Sequence, residues 1–182
     1  TGELLLTGFD NNTFTGPACV EDGLLSLDKI GLFTNAIAIS GPLVVGSNDD
    51  TRSPIAVLFA HEEISPSVQV IVNENGELNL ADHHQTIGAL AVNGGVVNSG
   101  ALGLLKLAGD ITSTNAIPHY GDIQGRLDLG NSPRYVSVWG PNAWLNVTAV
   151  ISGGPSATLT KGGDENLDLY AANTYEGLTI VD

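Results

Sequence analysis

The sequence predicts an all-β chain wound as a β-solenoid, on three grounds. β-Branched residues are plentiful and strong helix formers scarce, with six Lys and Arg together and no Met. Apolar residues alternate in short L-x-L or V-x-V units, which puts one face of each strand inward and the other outward. These units are shorter than the roughly five or six residues a sandwich strand favours. A solenoid coil instead uses two or three short strands whose partners lie one coil above and below. An internal repeat points the same way.

In chain order the units are Leu4/Leu6, Leu25/Leu27, Ile37/Ile39, Val68/Val70/Val72, Leu78/Leu80, Leu90/Val92, Leu105/Leu107, Leu127/Leu129, Val136/Val138, Leu145/Val147 and Leu167/Leu169. Polar residues such as Asn79, Asp128, Ser137, Asn146 and Asp168 fill the outward positions. Turn residues follow nearly every unit, at Gly8, Asn75-Gly76, Asn93-Gly94-Gly95, Asn98-Ser99-Gly100, Gly130-Asn131 and Gly153-Gly154. The segment Ile55 to Ile64 begins as a strand-like run and is stopped by Pro66. It reads as a strand, with a short helical turn as the alternative.

The 182 residues suit a single domain, 1–182, large enough to bury a core. Twenty Asp and Glu against six Lys and Arg give a formal net charge of −14, which argues against nucleic acid and anionic membrane surfaces as partners. With 42% hydrophobic and only 14% charged residues, the chain is no disordered acidic tail. No apolar run approaches the roughly 18 residues of a membrane helix. Because the chain lacks Met, it is read as processed or as part of something longer. Cys19 forms no internal disulfide and reads as a small apolar residue.

The repeat joins the two ends of the sequence. Leu4-Leu5-Leu6, Asn12-Thr13-Phe14-Thr15-Gly16 and Cys19-Val20 correspond to Leu167-Asp168-Leu169, Asn173-Thr174-Tyr175-Glu176-Gly177 and Ile180-Val181, with Asn12 and Asn173 lying 161 residues apart. The chain thus reads as one period plus the opening of the next. The segment 153–181 also resembles the passenger-associated repeat of autotransporters, through Leu159-Thr160-Lys161, Leu167, Leu169, Asn173-Thr174-Tyr175, Gly177, Thr179 and Val181. Gly76-Glu77-Leu78-Asn79-Leu80 with Gln85-Thr86-Ile87-Gly88 and Leu90 is similar to another coil of that family, and 35–46 to a coil of large bacterial surface proteins. Asp164-Glu165 and Tyr170 depart from the pattern by adding charge and bulk to turns. The resemblance implies a right-handed, single-stranded parallel β-helix from a secreted or cell-surface bacterial protein. At roughly 20–25 residues per coil, about eight coils at about 4.8 Å each make a rod of about 40 Å.

Chemistry-bearing patterns are few. The pairs Glu21-Asp22, Asp49-Asp50, Glu62-Glu63 and Asp164-Glu165 read as solvated turn charge, because neighbours on a strand face opposite ways. Asp49-Asp50 beside Asn48 offers oxygen ligands for a loosely held Ca²⁺; no other cofactor is expected. Asp82-His83-His84 reads as a polar turn, and with His61 and His119 it makes no metal-binding spacing. No nucleophile elbow, P-loop or dinucleotide fingerprint occurs. The sequons at Asn11 and Asn146 are expected to carry no glycan, and no regular T-x-T rows suggest an ice-binding face. The strongest ligand-binding candidates are Tyr135, Trp139 and Trp144, with Arg134 as a neighbouring donor. Tyr135 and Trp139 share a strand face opposite to that of Val136 and Val138, so they are expected to point outward and offer rings to a sugar or a partner.

The expected role is therefore not enzymatic. It is that of a structural module of an adhesin-like or filament-forming surface protein. Its partner is a second copy or an adjacent repeat, stacked end to end through Leu4, Leu6, Leu167, Leu169 and Ile180. The alternative is a β-helix that binds or cleaves surface glycans through the exposed aromatic face.

Overall fold

The computed structural model describes residues 2–31, 36–47, 51–114, 120–141 and 143–182. These residues form a parallel β-solenoid of eight coils with no helix among them. Coil one carries β1 (Glu3–Gly8) and β2 (Ala18–Val20), coil two β3 (Leu24–Lys29) and β4 (Leu43–Val45), and coil three β5 (Ile55–Leu58) and β6 (Val70–Asn73). Coil four has three strands, β7 (Glu77–Asn79), β8 (His84–Ile87) and β9 (Leu90–Asn93). Coil five follows with β10 (Val96–Asn98), β11 (Leu104–Leu107) and β12 (Ile111–Ser113), and coil six with β13 (Gly121–Gln124), β14 (Arg126–Asp128) and β15 (Arg134–Val138). Coil seven comprises β16 (Trp144–Val147), β17 (Val150–Ser152) and β18 (Leu159–Gly162); coil eight comprises β19 (Asn166–Leu169) and β20 (Thr179–Val181).

Stacking the coils makes three parallel sheets. The first runs β1-β3-β5-β7-β10-β13-β16-β19, the second β2-β4-β6-β9-β12-β15-β18-β20, and the third, four strands long, β8-β11-β14-β17. Backbone ladders fix the register, so each inward position becomes a column along the axis. In the first sheet one column reads Leu4, Leu25, Ala56, Leu78, Val97, Ile123, Val147 and Leu169. In the second sheet Val20, Val45, Val72 and Val92 stack in one column. The register carries that column on to Ser113 and Val138, which pair with each other. Between its ends the core cluster is almost wholly aliphatic. Every inward unit predicted by period two is buried in the interior coils except Ile37/Ile39. There the chain bends just before Ile39, so Ala36, Ala38 and Ile39 are buried and Ile37 is left half-exposed. The segment Ile55 to Ile64 is β5 followed by bends, and Ile64 forms an isolated bridge to Ile39.

Among the described residues the third face has strands only in coils four to seven, and side-chain amides extend it at both ends. Below β8, the Gln85 Oε1 accepts the Ile64 N–H at 2.9 Å and its Nε2 donates to the Ile64 carbonyl at 2.7 Å, reproducing a strand's backbone pair. Above β17, Asn173 Oδ1 accepts the Ile151 N–H at 2.9 Å while the Thr174 N–H donates to the Ile151 carbonyl at 2.8 Å. The same pattern joins coils one and two. Asn11 Oδ1 accepts the Ile37 N–H at 2.7 Å, and the Asn12 N–H donates to the Ile37 carbonyl at 2.8 Å. The Asn-Thr-Tyr phrase thus closes a coil; Tyr175 packs on the core and its hydroxyl meets that of Thr179. Gly163 turns the chain between β18 and β19 at φ +81°, where a Cβ would stand 2.1 Å from the Val138 carbonyl oxygen.

Candidate functional site

The first candidate is the pair of open ends. β1 and β2 have partners only above, in β3 and β4, while β19 and β20 have partners only below, in β16 and β18. Each terminal coil therefore presents a sheet edge with unpaired backbone donors and acceptors. Leu4 ends its column 59% exposed, whereas Leu25 above it is buried. Leu6, Leu167 and Leu169 are half-buried against the core. A pocket of about 500 Å³ opens beside β1, lined by Leu4, Leu6, Phe14, Ala18, Leu25 and Ile39 and bordered by Glu3, Glu21 and Asp22. At the other end Ile180 pairs with Thr160 on the outward register. The inward column is carried instead by Val181, which pairs with Lys161 and is 81% exposed. Sequence parity alone does not show this, because β18 and β20 are short and the turn between β19 and β20 sets their register.

The aromatic candidates divide between faces. Val136 and Val138 point inward, as period two requires, and Trp139 is 49% exposed on the outer face of the second sheet. Tyr135 shares that face, but its hydroxyl donates to Asp182 Oδ2 at 2.7 Å and its ring covers Gly162. The Asp182 carboxylate raises the Tyr135 pKa above the ordinary phenol value. Arg134 takes the inward parity of Val136 instead. Its Nη2 donates to the Leu107 carbonyl at 2.8 Å, so it does not join Tyr135.

Trp144 lies on the outer face of the first sheet, beside Tyr120, which the sequence did not single out, and Asp168 and Tyr170, which it read only as an outward polar residue and a bulky turn residue. Its indole N–H donates to Asp168 Oδ2 at 2.9 Å, and the Tyr170 hydroxyl donates to the same oxygen at 3.1 Å. Tyr120 meets the indole edge-on, with ring centroids 5.8 Å apart. In the register of this face, Asp122, Asn146 and Asp168 form one row across three coils. Asp122 Oδ2 accepts from Gln124 Nε2 at 2.7 Å, while its buried Oδ1 has no partner. The hydrogen bond that Tyr170 donates to Asp168, followed by burial and the negative charges of Asp168 and Asp122, raises the Tyr170 pKa.

Coil stacking also gathers the histidines. The His61 ring centroid lies 5.0 Å from those of both His83 and His84, and the His84 N–H donates to His61 Nδ1 at 2.8 Å. Glu62, Ala81 and Asp82 hold this corner in left-handed backbone at φ 54°, 45° and 67°. Burial and the two neighbouring imidazoles lower the His61 pKa. No group of three or more His, Cys, Asp or Glu residues among the described residues is placed to share a metal ion. Asn48, Asp49 and Asp50, the candidate Ca²⁺ ligands, lie outside the described residues, as does His119. Buried beside this corner, Glu63 Oε1 accepts the Lys29 N–H at 2.6 Å while its Oε2 has no hydrogen-bond partner. Burial pushes its pKa up to about 7.

No family model matches the chain, and neither a curated protein nor a solved structure matches it.

Proposed function

We propose that the chain is a structural module that extends end to end, with a further coil, of the same polypeptide or of a second copy, pairing on each open edge. The reading is supported above all by the inward column from Leu4 to Leu169. Its six inner members lie stacked in the core, and its two ends are the same residue type as the interior. Covering Leu4 and the adjoining pocket removes apolar surface from water at roughly 25 cal/mol per Å². Pairing the edge strands satisfies backbone groups that water otherwise solvates. Acidic residues stand at both ends, Glu3, Glu21 and Asp22 at one and Asp168, Glu176 and Asp182 at the other. Association is therefore opposed by like charge and promoted by salt. The resemblance to the autotransporter repeat supports a cell-surface or secreted setting, where such a rod carries load along its backbone ladders.

The test is sedimentation of the parent chain and of Leu4→Lys across protein and salt concentration. The parent should form linear oligomers that lengthen with salt. The variant should keep the β-sheet circular dichroism signature and remain monomeric, because its charge sits on an already exposed edge position. A parent monomeric throughout overturns pairing between copies and leaves only pairing with further coils of the same polypeptide.

A further inference from the structure

We propose that the outer face of the first sheet over coils six to eight binds an uncharged, hydroxyl-rich glycan, with Trp144 and Tyr170 as its ring platforms and Asp122 and Asp168 as its acceptors. This site reaches the open edge at coil eight through Asp168 and Tyr170, but it lies on the outer face rather than in the inward columns and rests on different observations. The aromatic rings are oriented before any ligand arrives. Asp168 Oδ2 holds both the Trp144 indole and the Tyr170 hydroxyl, and Tyr120 braces the indole from the neighbouring coil. Of the two platforms Tyr170 is well exposed at 65% and Trp144 is half-buried, with Tyr120 beside it at 43%. Oriented aromatic faces offer apolar contact to the C–H side of a sugar ring at little cost in side-chain freedom.

The polar groups specify the partner's chemistry. Carboxylates only accept hydrogen bonds, so Asp122 and Asp168 offer an occupant acceptors alone; the Asp122 oxygen without a donor is enclosed by protein and is not the contacting atom. The occupant must therefore donate. An anionic polymer is disfavoured by the chain's net charge of −14. A shared metal ion is disfavoured by spacing. Asp122 and Asp168 sit two coils apart, about 10 Å at the usual strand separation, whereas oxygens on one Ca²⁺ lie about 2.4 Å from it. Hydroxyls of a neutral sugar chain laid along the solenoid axis meet both requirements. The row continues downward through Val96 and Glu77, so the strip runs parallel to the rod.

The experiment uses the full chain and neutral hexasaccharides of glucose, mannose, galactose and N-acetylglucosamine, followed by calorimetry and tryptophan fluorescence. A hexagalacturonate and a lysine-rich peptide serve as charged comparators. At least one neutral hexasaccharide should bind, with affinity unchanged by salt. Tyr170→Ala and Trp144→Ala should each weaken it about tenfold or more, and Trp139→Ala, on another face, should leave it intact. Tyr170 is exposed, so its truncation tests the site even if the Trp144 variant loses stability. Lack of binding to all four neutral probes overturns the proposal. So does binding that survives both substitutions, or binding of the lysine peptide alone that fades with salt.

Discussion

Glu63 sits buried between coils with one oxygen unsatisfied, and its carboxyl titrates near 7 rather than near 4.5. Burial is the main cause; the Lys29 N–H and ammonium oppose it, and Asp28 adds to it. The folded state thus holds this proton more tightly than the unfolded chain does. The stabilising contribution is complete below about pH 4.5 and is lost as pH rises through about 7, a change of about 3 kcal/mol at 1.36 kcal/mol per pKa unit. His61, on the same coil, acts with the opposite sign. Its pKa is lowered, so its contribution is present above its ordinary value of 6.5 and fades as pH falls through the folded value. Glu63→Gln should therefore gain stability over the parent at pH 8 but much less at pH 5. Urea midpoints at the two pH values measure this, and an equal shift at both would contradict it. None of this was legible in Glu62-Glu63, which reads as turn charge. Which of two adjacent carboxylates is buried depends on how the bend after β5 packs under coil four.

At the scale of the element, two polar residues interrupt apolar columns and should respond oppositely to the same kind of substitution. Ser113 lies in a column otherwise made of valine, and its buried hydroxyl has no partner. Ser113→Val should raise the melting temperature, because it removes an unsatisfied donor and adds apolar contacts; a stabilisation of about 1 kcal/mol is expected. Gln85 shares its column with Leu105, Leu127 and Ile151, yet its amide completes both backbone groups of Ile64. Gln85→Leu should cost about 2–5 kcal/mol, since it leaves a buried N–H and carbonyl unpaired. Thermal unfolding of the two variants side by side decides the matter, and a stabilised Gln85→Leu would contradict this account of the third face. Period two made the inward and outward faces readable from residues such as Val136, Val138, Leu145 and Val147. It could not show which residues of different coils meet, because successive coils along the Leu4 column differ in length, from 19 residues between Leu78 and Val97 to 31 between Leu25 and Ala56. That is why Trp144 parted from Tyr135 and joined Tyr120 and Tyr170, and why His61 came between His83 and His84 unannounced.

For the whole molecule, the solenoid was predictable because its signal is redundant. Short alternating units, turn residues between them and a repeat linking coil one to coil eight all demand the same stacked geometry. The same redundancy makes the ends chemically similar to any interior layer, and this is the basis for proposing that they pair. The acidic residues at both ends set a condition on that pairing, so length should grow with ionic strength and with divalent cations, which screen like charge most effectively.

Electron microscopy of the native protein, with light scattering on the same sample across salt concentration, tests the central claim most directly. The account predicts unbranched filaments with an axial repeat of about 40 Å, the length of eight coils at the usual strand spacing, and shorter assemblies at low salt. Isolated rods of that length at every concentration and salt would contradict it.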